Sequence, residues 1–181
     1  MYSGPIFAIL LTSSRHSARS IRGIYRNYRV YCKAEARNPA ERHWQTISTI
    51  DEILANSRTI AVVGLSANPE RPSNFVAGYL KEQGYKIVPV NPKEKTILGE
   101  TSYPDLASVP EKIDIVEVFR RSEEVPTIVR DAIKIGAKAV WMQEGVRHDE
   151  AAAEARKAGL KVVMNKCMYK EHSKRYGDTA G

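Results

Sequence analysis

One loop in the chain gathers side chains that bind anions: Gly64-Leu65-Ser66-Ala67-Asn68-Pro69-Glu70-Arg71-Pro72-Ser73. Ser66 and Ser73 bring hydroxyls and Arg71 brings a guanidinium. A glycine at the turn lets backbone N–H groups approach a ligand closely. Hydroxyls, backbone N–H groups and a cation together form the donor set of a phosphate cradle. Three further short clusters follow apolar, strand-like runs: Asn91-Pro92-Lys93, Phe119-Arg120-Arg121 and Gln143-Glu144-Gly145. None of the four contains a nucleophile beside a general base, so the chemistry they suggest is binding.

These clusters must be carried by elements that bring them together. Thr59–Val63, Lys86–Val90, Asp114–Val118, Ala139–Met142 and Lys161–Met164 read as five buried strands, rich in β-branched residues. Helices are expected between them. One runs from Asn74 to Gln83, with Ser73 as its N-cap and Gly84 after its end; one from Ser122 (as N-cap) to Ile135, stopped by Gly136; and one from Asp149 to Ala158, stopped by Gly159. A short helix, with Thr49 and Glu52 at capping-box spacing and Ile50, Ile53 and Leu54 on one face, leads into the first strand. Residues 96–109 read as irregular with at most one helical turn, and 165–181 as a last turn and a frayed end. The alternation predicts an α/β, Rossmann-like, doubly wound parallel sheet of about five strands with helices on both faces, in the order 3-2-1-4-5. In such sheets ligands sit beyond the C-terminal strand ends, where all four clusters fall.

Composition narrows the partner. The net charge of +7 suggests nucleic acid, but residues 1–46 hold eight Lys/Arg and two acids, a net of +6, leaving +1 for the rest. A nucleic-acid-binding domain carries its basic residues on the folded face, so none is expected as a partner. No apolar run reaches the roughly 20 residues of a membrane span. The first 34 residues lack acids and are rich in Arg and Ser, the composition of a transit peptide or a disordered extension. Two cysteines in unlike contexts, Cys32 and Cys167, fit a reducing compartment: the cytoplasm, or an organelle matrix if residues 1–46 are a transit peptide. The domain organisation read from this is a basic extension over 1–46, one folded domain over 47–175 and a frayed tail over 176–181.

The sequence argues against NAD. The first turn lacks G-x-G-x-x-G, and the second strand ends in Asn91-Pro92-Lys93 where a carboxylate would accept the ribose 2′-hydroxyl. A lysine there favours a ribose that carries a phosphate, as in NADP or coenzyme A.

Several motifs in register resemble the small stand-alone CoA-binding proteins, which are similar to the CoA-binding domain of the succinyl-CoA synthetase α subunit. They are Gly64-Leu-Ser-x-x-Pro69-x-Arg71-Pro-Ser73, Val88-Pro-Val-Asn-Pro92, Gly99-x-x-x-Tyr103-Pro104-x-Leu106, Asp114-x-Val116-x-Val118-Phe119-Arg120, Trp141-x-Gln143-x-Gly145 and Asn165-x-Cys167. The resemblance implies coenzyme A or an acyl-CoA lying across the strand ends. Gly64, Leu65, Ser66 and Ser73 would form the first phosphate turn, beside Ala67 and Arg71. Asn91, Pro92 and Lys93 would border the adenosine phosphate, Phe119 and Arg120 the middle of the ligand, and Gln143, Glu144 and Gly145 the pantetheine. After Cys167 the chain departs from the commoner family ending.

Lone candidates add little. The phosphohistidine of the synthetases lies in a second domain. His148 reads as a helix cap or surface residue, and Cys167 with His172 makes only half of a structural zinc site, so no metal is expected. Cys167 reads as a small buried side chain, with a mixed disulfide to a CoA thiol as the alternative. The expected function is a non-catalytic carrier, sensor or regulatory module; an NADP-dependent oxidoreductase and an accessory subunit of a CoA ligase are the alternatives. A homodimer or a ligase-type chain is the expected protein partner.

Overall fold

The computed structural model describes residues 49–177. The reading of residues 1–46 lies outside the described residues, as does that of 178–181. Helix α1 (Thr49–Ala55) buries Ile53 and Leu54. The Glu52 carboxylate pairs with Lys161 rather than folding back on its own helix. The chain then alternates through β1 (Thr59–Val63), α2 (Pro72–Glu82), β2 (Lys86–Val90), the short strands β3 (Thr96–Ile97) and β4 (Glu100–Thr101), β5 (Ile115–Val118), α3 (Val125–Lys134), β6 (Ala139–Met142), α4 (Asp149–Lys157), β7 (Lys161–Val163) and α5 (Met168–Tyr176).

Five strands form one parallel sheet in the order β2-β1-β5-β6-β7. Its strands are buried on both faces, which is why each reads as an apolar run. The pleat sends Ala61, Val63, Val116, Val118, Val140 and Met142 to one core, covered by α3 and α4. It sends Ile60, Val62, Ile115, Trp141 and Val163 to the other, covered by α1, α2 and α5.

The order differs from expectation. Numbering the five main strands along the chain, the sequence reading gave 3-2-1-4-5 and the structure has 2-1-3-4-5. The reason lies in Pro89, in the middle of β2 and in register with Val62. Proline has no N–H for a ladder, so a strand holding one belongs at an edge. Here the polar side of Pro89 faces away from β1, and its carbonyl accepts from Tyr103 N at 3.0 Å. The next main strand therefore pairs on the far side of β1, and the switch point falls between β1 and β5.

Other boundaries move for local reasons. Pro72 occupies the first helical position of α2, where its fixed φ suits the turn and its missing N–H is not needed. The N-cap is thus Arg71, and Ser73 lies inside the helix. Ser122 begins a 3-10 turn, and its Oγ accepts from Arg147 N (3.1 Å) instead of capping a helix. Residues 96–101 form an antiparallel hairpin turned through Leu98 and Gly99, both at positive φ. Lys81 Nζ fixes this turn by donating to Leu98 O and pairing with Glu100, each at 2.7 Å. The C-terminal segment is a full nine-residue helix, seated by buried Met168.

Candidate ligand-binding site at the strand ends

The four predicted clusters meet at the C-terminal edge of the sheet. Gly64 leaves β1 at φ +89°, and a Cβ built there would lie 2.7 Å from Phe119 O and 2.9 Å from Arg120 Cδ. The first and third clusters are therefore in contact, and no room is left between them for a side chain at Gly64. Gly64 N donates to Val90 O (3.0 Å), and Asn91 Nδ2 donates to Leu65 O (2.8 Å), tying the second cluster to the first. Asn91 Oδ1 in turn accepts from Lys93 N at 2.9 Å.

Inside the loop the polar side chains shape the backbone. Ser73 Oγ accepts from Ser66 N (3.1 Å), Ser66 Oγ from Asn68 N (3.1 Å), and Asn68 Oδ1 from Glu70 N (2.9 Å). Asn74 Nδ2 closes the loop by donating to Ser66 O at 2.8 Å. Leu65 is fully buried and contributes only its backbone, whereas Ala67 and Arg71 are exposed. The Ser73 N–H has no hydrogen-bond partner among the described residues, and Pro72 has no N–H to offer. Arg71 and Lys93 are exposed, and neither has a carboxylate partner among the described residues. Arg120, also exposed, lies 3.6 Å from Glu124.

A cleft of about 170 Å³ opens beside these loops, lined by Val63, Val90, Leu106 and Ile128 together with Pro92 and Arg120. Asp105, Glu124 and Asp131 also line it. The fourth cluster lies at the end of β6. Gly145 N donates to Asn165 Oδ1 (2.8 Å), and Glu144 pairs with Lys170 at 2.6 Å on the surface. Gln143 is turned inward and is only 4% exposed.

Gln143 leads to a residue that motif reading passed over. Its Nε2 makes a short hydrogen bond to Oε1 of Glu117, a fully buried carboxyl on β5. Glu117 Oε2 is buried without a hydrogen-bond partner among the described residues. Burial pushes this carboxyl up to about 8, and the Gln143 hydrogen bond acts in the other direction. The signal was present in the sequence: Ile115-Val-Glu-Val118 sets one acid inside a strand otherwise apolar on both faces.

The lone candidates take structural places. His148 Nδ1 accepts from Ala151 N (3.3 Å) and caps α4, as one of its two expected roles. His172 is buried, with Nδ1 3.0 Å from the Tyr79 hydroxyl, among the rings of Tyr79, Tyr85 and Tyr176. Burial holds its pKa below the usual histidine value. Cys167 is half-buried at the N-cap of α5. Among the described residues the aromatic side chains mostly pack on the core, except Phe75, which is 56% exposed and packs edge-to-face with Tyr169.

Comparison with known proteins agrees with the α/β fold. The chain is 39% identical over 124 residues to the uncharacterized protein YneT of Bacillus subtilis (strain 168), covering 68% of this chain and 92% of that one. It is 28% identical over 124 residues to the acetate–CoA ligase [ADP-forming] II subunit alpha of Pyrococcus furiosus. That match covers 62% of this chain and spans only 27% of the ligase subunit. The solved structure of a hypothetical protein from Pyrococcus horikoshii OT3 superposes with a TM-score of 0.67 at 44% identity, over 69% of this chain and 88% of that one. The family model of the CoA binding domain matches residues 58–173, and the chain belongs to that family.

Proposed function

We propose that the domain over residues 47–175 binds coenzyme A or an acyl-CoA across its strand ends, as a non-catalytic carrier, sensor or regulatory module. The observation that carries this reading is the stapled Gly64–Ser73 loop at the switch point, flanked by Arg71 and Lys93, neither of which has a carboxylate partner among the described residues. Two exposed cations and the helix-terminal Ser73 N–H, which lacks a partner among the described residues, suit a ligand with separate diphosphate and 3′-phosphate groups. In this reading the loop with Arg71 and Ser73 takes the diphosphate. The cleft takes the adenine, with apolar walls for the ring and carboxylates for its amine. Lys93, next to the cleft residue Pro92, takes the 3′-phosphate, Phe119 and Arg120 flank the middle of the ligand, and the pantetheine runs toward Gln143–Gly145. No nucleophile–base pair stands among these residues.

Calorimetry with CoA, dephospho-CoA and NADPH tests the reading. CoA binds tightest, and Lys93→Ala weakens CoA about fivefold while leaving dephospho-CoA nearly unchanged, as expected for one exposed charge-assisted contact. No CoA binding at millimolar ligand would sink the reading; equal losses would remove Lys93 from the 3′-phosphate. A second reading, an accessory subunit completing a CoA ligase with another chain, draws on the match to the ligase α subunit. Co-purification of a grasp-type partner supports it, and a clean monomer or homodimer counts against it. Among the described residues no helix is long and apolar enough to cross a membrane. We place the protein in the cytoplasm, or in an organelle matrix if residues 1–46 are a transit peptide; fractionation of tagged protein separates the two.

A further inference from the structure

We propose that Glu117 is a positioning residue: it holds the Gln143 carboxamide with its nitrogen inward and its oxygen toward the strand ends, so that this end of the site accepts a hydrogen-bond donor from the ligand. Glu117 is fully buried in β5, in register with Val62 of β1 and Trp141 of β6. Gln143 Nε2 donates to its Oε1. Gln143 Oε1 has no partner among the described residues, and unlike Glu117 Oε2 it is not sealed from solvent. Gln143 directly follows β6, so its carboxamide lies at the C-terminal end of the sheet, where the four clusters fall.

The orientation follows from the pairing. In the hydrogen bond the structure shows, the amide nitrogen faces Glu117 Oε1, which leaves the amide oxygen on the other side of the carboxamide. A proton on Oε2, which has no partner among the described residues, is compatible with this arrangement, because Oε1 then still accepts. The site thus presents a fixed acceptor, held by a group that never touches the ligand. The inference rests on the CoA reading of the site. On that ligand the complementary donors near Gln143 are the pantetheine amide N–H groups and the thiol.

Calorimetry of the full chain with CoA and with adenosine 3′,5′-bisphosphate, which lacks the pantetheine arm, tests the role. Glu117→Met removes the acceptor and weakens CoA about tenfold, the equivalent of one hydrogen bond. Its affinity for the bisphosphate stays at the wild-type level. Glu117→Gln, whose own oxygen accepts from Gln143, restores CoA binding. Gln143→Met reproduces the selective loss and stands in if Glu117→Met does not fold. Equal losses on both ligands, unchanged CoA affinity, or a Glu117→Gln variant as weak as Glu117→Met would each overturn the positioning role. A wild-type protein that binds the bisphosphate and CoA equally well also overturns it, whereas one that binds neither refutes the CoA reading itself.

Discussion

Replacing Glu117 with glutamine should give a protein whose stability advantage over the wild type grows with pH. The carboxyl is fully buried and its pKa lies near 8, against an ordinary 4.5. Above 4.5 the unfolded chain releases this proton, while the folded protein keeps it to about 8. The unfolded state thus binds fewer protons than the folded one throughout that interval, so stability falls as pH rises. The slope is about 1.4 kcal/mol per pH unit, which accumulates to about 3 kcal/mol by pH 7 and about 5 kcal/mol above pH 8. The stabilising state of Glu117 is the protonated one, complete below pH 4.5 and lost above about 8. Glutamine keeps the shape and the acceptor for Gln143 but does not titrate. Urea unfolding of both proteins from pH 5 to 9.5, read as the difference between them, cancels every other titrating group. The difference should climb steeply from pH 5 and flatten above about 8. A difference that stays constant within about 0.5 kcal/mol across this range would refute the reasoning, because a carboxyl with no raised pKa leaves no slope.

Gly64→Ala should destabilise the fold by about 2–5 kcal/mol, because an L-residue at φ +89° is strained and its Cβ meets Phe119 O at 2.7 Å; chemical denaturation measures it, and a loss below about 1 kcal/mol would show that the first and third loops are not in contact. Asn91→Ala removes the bond to Leu65 O and the acceptor for Lys93 N, and should cost about 1–3 kcal/mol with faster hydrogen exchange confined to the two loops. His172→Phe should abolish a loss of stability on acidification. Burial lowers the pKa of His172, so the unfolded chain takes up a proton first and stability falls as pH drops through the ordinary histidine value near 6.5. Thermal melts at pH 5 and pH 8 read this, and an equal pH dependence in both proteins would exclude His172 as its source.

The sequence alone determined much of this protein. Apolar runs such as Thr59–Val63 and Ala139–Met142 are strands because a parallel sheet buries both of their faces. The turn signals between them put the four polar clusters at strand ends, and an α/β sheet collects its strand ends on one edge. Pro89 encoded the strand order as well, but its meaning depends on which neighbour its polar side must face, a relation that appears only when strands are paired. Pro72 likewise marked where α2 begins, while Ser73 competed for the same signal and bonds Ser66 instead. Tertiary structure alone decided the rest. The positive φ of Leu98 has no local code and is held by Lys81, a residue of another element. The polar tail from Met168 becomes a helix because Met168 finds a core to enter. Glu117 and Gln143 are twenty-six residues apart in the chain, and neither alone predicts the other. Only the register of β5 against β6 brings them together, and burial then turns an ordinary carboxyl into one that holds its proton at neutral pH.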